Sequence, residues 1–168
     1  MVKRMGMNGI LFLVLASAVQ AHEAAPTTVI LVRHAEKVDA SADPELSKEG
    51  QARALALARV LADAGVSEIY TTQFRRTNLT AEPLARKLKI EPKVIEAATT
   101  YAAEVTARIR KERMGKVTLV VGHSNTIGLL LRELGVTTPV TMTDKEYGDL
   151  FICTIPPYGE PSVLRIHF

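Results

Sequence analysis

Two short apolar runs end in histidine, and that pairing constrains the fold more than any other feature of the chain. Val29-Ile30-Leu31-Val32 leads straight into Arg33-His34, and Val117 to Val121 leads into Gly122-His123-Ser124. Continuous aliphatic runs rich in β-branched residues read as strands buried on both faces. Helical patterns separate them. Ser47 is a candidate N-cap for a helix whose apolar stripe is Ala54, Leu57, Val60, Leu61 and Ala64, closed by Gly65. Glu68–Thr71 reads as a second strand. Pro83 is expected only in a first helical turn, which sets a helix within Thr80–Leu88 with Thr80 as its cap. Val94-Ile95 reads as a short strand, Tyr101–Met114 as a helix ending at Gly115, and Thr126–Leu134 as a helix stopped by Gly135. Phe151–Ile155 and Val163–Phe168 close the chain as strands. Strands alternating with helices predict an α/β fold, a three-layer sandwich with a mostly parallel central sheet.

The N-terminus reads as an export signal. Lys3 and Arg4 precede the uncharged apolar run Gly9–Val19, and Ala16-Ser17-Ala18 and Val19-Gln20-Ala21 are alternative cleavage sites. The run is too short to span a bilayer, which takes about 20 residues. The expected division is a signal peptide over residues 1–21 and one domain over residues 22–168, with no stable membrane span after cleavage. The whole chain of 168 residues carries 21 Lys and Arg against 18 Asp and Glu, but without Lys3 and Arg4 the balance is 19 to 18. A near-neutral domain has no electrostatic footprint for nucleic acid. The single cysteine, Cys153, excludes an internal disulfide and any zinc site built from several cysteines, and inside an apolar strand it reads as a core residue. Export to the periplasm or beyond is expected. Asn78-Leu79-Thr80 matches a glycosylation acceptor, but a glycan there would crowd Arg76, which favours a bacterial periplasm.

Ligands of open parallel sheets bind beyond the carboxyl ends of the strands. If the two histidine-tipped strands are neighbours, His34 and His123 emerge side by side. Gly122 would let the backbone approach a ligand, and the helix after Ser124 would aim its first amides at an anion. Arg33, Arg75 and Arg76 also follow strands. Two imidazoles with two or more guanidiniums, and no nearby cluster of Asp or Cys, suit a phosphate dianion and require neither metal nor other cofactor. A neutral imidazole can attack phosphorus and split one displacement into two easier steps. The arginines and the second histidine would stabilise the charge on the transferring phosphoryl group.

At these residues the chain resembles the histidine phosphatase superfamily, the phosphoglycerate-mutase-like group. The resemblance rests on three stretches, Leu31-Val32-Arg33-His34-Ala35-Glu36-Lys37, Tyr70 to Glu82, and Val120-Val121-Gly122-His123-Ser124, and covers nearly all of residues 22–168 in order and spacing. It implies a phosphoglycerate-mutase-like fold, with Arg33 binding phosphate and His34 as the nucleophile. It makes His123 the second histidine of the phosphate pocket, with Ser124 beside it. The family's second arginine lies four residues before a Thr-Ala pair, and counting back from Thr80-Ala81 selects Arg76 over Arg75. The chain departs from the family in three ways. Ala35 stands where Gly is common, Thr71-Thr72-Gln73 replaces Ser-Ser-Pro, and the mutase region with Glu-Gly and Trp-Glu-Gly is missing.

The general acid is therefore open. Glu36 is a candidate proton donor that could equally orient Arg33 or Arg76. Glu96 and Glu104 have weaker claims, and Lys37 is either solvated or phosphate-facing. The function these features imply is hydrolysis of small phosphomonoesters through a phosphohistidine. The alternatives are a phosphoryl-shuffling mutase and a non-catalytic module that binds a phosphorylated ligand on the same fold.

Overall fold

The first histidine-tipped run forms β1 (Thr27–Arg33) in the computed structural model, which describes residues 25–168. The expected signal peptide over residues 1–21 lies outside the described residues. From β1 the chain continues through α1 (Lys48–Val60), β2 (Val66–Thr71), α2 (Arg75–Leu88), β3 (Lys93–Val94) and α3 (Tyr101–Glu112). It ends with β4 (Val117–Gly122), α4 (Ser124–Glu133), β5 (Asp149–Ile155) and β6 (Ser162–His167). The six strands form one sheet in the order β3-β2-β4-β1-β5-β6. β1, β2, β3 and β4 run parallel, β5 pairs antiparallel to β1, and β6 pairs antiparallel to β5 and so runs in the direction of β1. β1 and β4 are direct neighbours, with Arg33 opposite Gly122.

The alternation of side chains along β1 explains why its run is apolar throughout. Ile30 and Val32 face α1 and α2, in a core with Leu57, Leu61, Leu84 and Leu119. Val29 and Leu31 face α3 and α4, in a core with Val105, Ile109, Ile127 and Leu130. Burial of each such side chain contributes about 1.5–3 kcal/mol, so the histidine-tipped strands are held by apolar packing on both faces. Cys153 lies fully buried in the second core, where burial pushes its thiol up to about 11. It is a core residue.

Ser47 caps α1 as expected, its hydroxyl accepting from the Gly50 amide at 3.1 Å. The apolar stripe of that helix is narrower than its spacing suggests. Val60 and Ala64 are exposed, and Ala58 is buried instead. α2 starts at Arg75, five residues before the expected cap, and carries Pro83 in its interior. Proline there removes the amide that would reach the Leu79 carbonyl, but Thr77, Thr80, Ala81, Leu84 and Ala85 are all buried along one face. Packing overrides the local preference. The other differences are at element ends. β1 starts at Thr27, β2 at Val66 and α4 at Ser124, α3 stops at Glu112, and the short strand is Lys93–Val94. Among the described residues no helix is long and apolar enough to cross a membrane.

Candidate active site

Because β1 and β4 are paired in register, the residues after them leave the sheet together. The His34 amide donates to the Gly122 carbonyl at 2.9 Å, extending the ladder by one bond. The rings of His34 and His123 then meet edge to face with centroids 5.4 Å apart. They lie in an open cleft of about 800 Å³ whose walls include Arg33, Lys37, Phe74, Arg76, Ser124, Asp144 and Tyr147. The structure thus brings together Arg33, His34, Arg76, His123 and Ser124.

The hydrogen bond of His34 fixes its tautomer. Nδ1 lies 2.8 Å from the Ala35 carbonyl oxygen, which can only accept, so Nδ1 carries the proton and Nε2 of the neutral ring keeps its lone pair. The loop is held in turn by Thr80, whose Oγ1 accepts from the Ala35 amide at 2.9 Å. Burial, opposed by the Ala35 carbonyl and reinforced by the neighbouring His123 ring, which disfavours a second imidazolium, and by the charges of Arg33 and Arg76, lowers the His34 pKa to about 3. His34 is neutral at physiological pH.

The direction of the bonds around His123 follows from Thr77. Its hydroxyl donates to a carbonyl, that of Phe74 at 2.8 Å or Thr72 at 3.2 Å. The Thr72 hydroxyl, 3.0 Å away, must therefore donate to Thr77 Oγ1, and its oxygen accepts from His123 Nε2 at 3.1 Å. His123 thus presents an N–H donor at Nε2. Burial, followed by Arg76 and Arg33, lowers its pKa to about 4. Gly122 serves a different purpose from the expected approach to a ligand. A Cβ there would lie 2.7 Å from Thr126 Oγ1, which accepts from the His123 amide at 2.9 Å. The glycine makes room for the first turn of α4.

The two arginines are anchored differently. Arg33, with a side chain only 5% exposed, donates through Nη1 to the carbonyls of Thr143 (3.1 Å) and Glu146 (3.0 Å) and through Nη2 to the Tyr147 hydroxyl (3.3 Å). Its guanidinium also stacks on the Tyr147 ring at 4.2 Å. Arg76 stacks on Phe74 at 4.2 Å, donates to the Ala42 carbonyl at 3.4 Å and lies 4.0 Å from Asp43. The Nε of each arginine is buried without an acceptor. Arg75 lies outside the cleft, paired with Glu45 on the surface.

Glu36 does not reach the cleft. Arg53 of α1 holds its carboxylate through Nε (2.9 and 3.0 Å) and Nη2 (2.6 Å), so it orients neither Arg33 nor Arg76 and has no proton to give. Although burial works against ionisation, its hydrogen bonds to Arg53 keep its pKa below the ordinary range. Glu96 is exposed outside the cleft, and Glu104 pairs with Arg108 on the outer face of α3. Lys37 does line the cleft. Asn78 is no glycan acceptor, because it sits within α2 with its amide bonded to the carbonyls of Thr72 and Phe74. Gln73, where the family has proline, accepts from the Ala97 amide at 2.9 Å and so holds the Ala97–Thr99 wall.

Asp144 and Tyr147 had no signal in the sequence, whereas Thr72 and Phe74 lie in the Tyr70–Glu82 stretch, and Thr72 still offers His123 a hydroxyl where the family has serine. Asp144 accepts from the Ser124 hydroxyl at 2.7 Å and lies 3.7 Å from Arg33 Nη2. It is the only carboxylate among the cleft's lining residues. Among the described residues no group of three or more His, Cys, Asp or Glu has the geometry to hold a metal ion.

The family model described as histidine phosphatase superfamily (branch 1) matches residues 29–101, a stretch that contains Arg33, His34 and Arg76. His123 and Ser124 lie beyond it and are brought to the same site by the β1–β4 pairing. Over residues 29–101 the chain matches the histidine phosphatase superfamily. No curated protein matches it by sequence. Its fold is similar to that of a putative alpha-ribazole-5'-P phosphatase from Escherichia coli, with a TM-score of 0.68 and 14% identity over 84% of this chain and 96% of that one. It is also similar to the protein histidine phosphatase SixA complexed with tungstate (TM-score 0.64, 20% identity, 83% and 96% covered). A mycobacterial glucosyl-3-phosphoglycerate phosphatase complexed with inorganic phosphate matches with a TM-score of 0.66 and 15% identity, over 84% and 96% of the two chains.

Proposed function

We propose that this chain hydrolyses small phosphomonoesters through a covalent phosphohistidine on His34. The observation that carries the proposal is the bond from His34 Nδ1 to the Ala35 carbonyl. It leaves Nε2 as a fixed, unprotonated nucleophile on a buried side chain at the open cleft, which Arg33, Arg76 and His123 also line. In the first step Nε2 attacks phosphorus and the ester oxygen leaves. In the second, water attacks the phosphohistidine and returns the electron pair to Nε2. Charge on the equatorial oxygens is met by the guanidiniums and by the His123 Nε2–H, which exchanges Thr72 Oγ1 for a phosphoryl oxygen.

Similarity in fold to proteins named as phosphatases supports hydrolysis, as does the missing Trp-Glu-Gly region of a mutase. Export to a periplasm is part of the same proposal and is supported by residues 1–21 alone. The test is phosphate release from an aryl phosphate by the purified chain in the presence of a chelator. Turnover that survives chelation is expected. No release, or release that depends on an added divalent ion, contradicts the proposal.

A further inference from the structure

Resting on the phosphatase reading above, we infer that Asp144 is the catalytic acid and base of the two half-reactions. Both half-reactions need one. An alkoxide leaving group must gain a proton in the first, and the attacking water must lose one in the second. Asp144 is the only carboxylate among the residues lining the cleft, and Glu36 is held by Arg53 outside it.

Its position is built by the two strand ends that carry the histidines. Ser124, the residue after His123, donates its hydroxyl to Asp144 Oδ1 at 2.7 Å. Arg33, the residue before His34, approaches the same oxygen at 3.7 Å. Arg33 also grips the backbone on both sides of Asp144, at the carbonyls of Thr143 and Glu146. The Thr143 amide is further tied to the Glu146 carboxylate. Upstream, the strap lies directly on α4, where a Cβ at Gly128 would collide with the Val140 carbonyl oxygen. The backbone around Asp144 is therefore fixed, while its side chain is 88% exposed and open to a leaving group or to water. The Ser124 hydroxyl, and then Arg33, hold this carboxyl below its ordinary range, and a bound phosphate dianion opposes them by adding a like charge that favours the protonated form.

The cycle balances in protons and electrons. His34 Nε2 forms a bond to phosphorus, the bond from phosphorus to the ester oxygen breaks, and that oxygen takes the Asp144 proton. A water oxygen then bonds to phosphorus and gives its proton to the Asp144 carboxylate. The P–N bond breaks with its electrons returning to Nε2, and phosphate leaves.

The experiment compares single-turnover formation of the phosphoenzyme from p-nitrophenyl phosphate, whose leaving group needs no proton, and from glycerol 2-phosphate, whose leaving group does. In Asp144→Asn, whose amide oxygen can still accept from Ser124, formation from the aryl ester is expected to change little. Formation from the alkyl ester should fall by about 100-fold or more, the lower range for general acid catalysis. The phosphoenzyme should also persist, since water has lost its base, and Asp144→Glu should restore part of the alkyl rate. Equal losses with both esters would mean that Asp144 only holds the strap and Arg33. Unchanged or faster reaction with both would mean that its carboxylate competes with the phosphate. Either result overturns the assignment. A wild-type chain that forms no phosphoenzyme from either ester overturns the phosphatase reading itself, not this assignment alone.

Discussion

His34 and His123 face each other at 5.4 Å between ring centroids because Arg33 and Gly122 pair directly across β1 and β4. Two imidazoliums at that spacing, beside two guanidiniums, would repel one another. Burial and the neighbouring positive charges keep both rings neutral, with pKa values lowered to about 3 for His34 and about 4 for His123.

Those shifts carry a sign for stability. Both folded-state pKa values lie below 6.5, the ordinary value that the unfolded chain retains. Below pH 6.5 the unfolded chain takes up protons that the folded one refuses, so this contribution to stability falls with pH and levels off only below pH 4 to 3. Above pH 6.5 the pair contributes no slope. Denaturant unfolding between pH 7 and pH 4 is expected to show a shallower loss in the His34→Gln, His123→Gln double variant than in wild type. Parallel curves would contradict the shifts.

Arg76 and Arg75 are adjacent in sequence and opposite in expectation. Arg76→Lys keeps the charge but loses the planar fork. A lost charge-assisted hydrogen bond of about 1.5–3 kcal/mol corresponds to a fall in kcat/KM of about 10- to 100-fold. Arg75 pairs with Glu45 at the surface, so Arg75→Lys should stay close to wild type. Steady-state kinetics on the two variants decides, and the reverse order would mean that the wrong arginine has been placed in the phosphate pocket.

Gly50 couples α1 to the nucleophile loop. A Cβ there would collide with the Glu36 carbonyl oxygen, which also accepts from the Ser47 amide at 2.9 Å. Gly50→Ala should destabilise the chain by about 1–3 kcal/mol, the usual range for overpacking, and lower turnover by displacing the loop after His34. Chemical denaturation together with kcat tests this. An alanine that improves stability, as it would at an unconstrained helical site, contradicts the packing.

The legible part of the molecule is the part held by local pattern. Both histidine-tipped strands are apolar on both faces, which is a direct consequence of lying between α1–α2 and α3–α4. The helices between the strands imply the parallel direction, and the observed β1–β4 pairing then brings His34 and His123 together. The role of Glu36 was not legible because its partner, Arg53, lies seventeen residues away in α1 and no local pattern pairs the two. The Thr143–Tyr147 strap has no periodicity to read. Only the antiparallel direction of β5 puts the segment before Asp149 at the carboxyl edge of β1, and strand direction cannot be read from an apolar run. Pro83 misled for a similar reason, since the buried face that keeps α2 continuous is set by tertiary packing.

Brief exposure to a radiolabelled phosphoester, a denaturing quench and a test of acid stability address the covalent intermediate most directly. Wild type is expected to carry label that acid removes, as it does from phosphohistidine. His34→Ala is expected to carry none, and His123→Ala a reduced amount, because the attacking imidazole remains. Label that survives acid, or that persists in His34→Ala, would place the nucleophile on Ser124 or another group and contradict the mechanism.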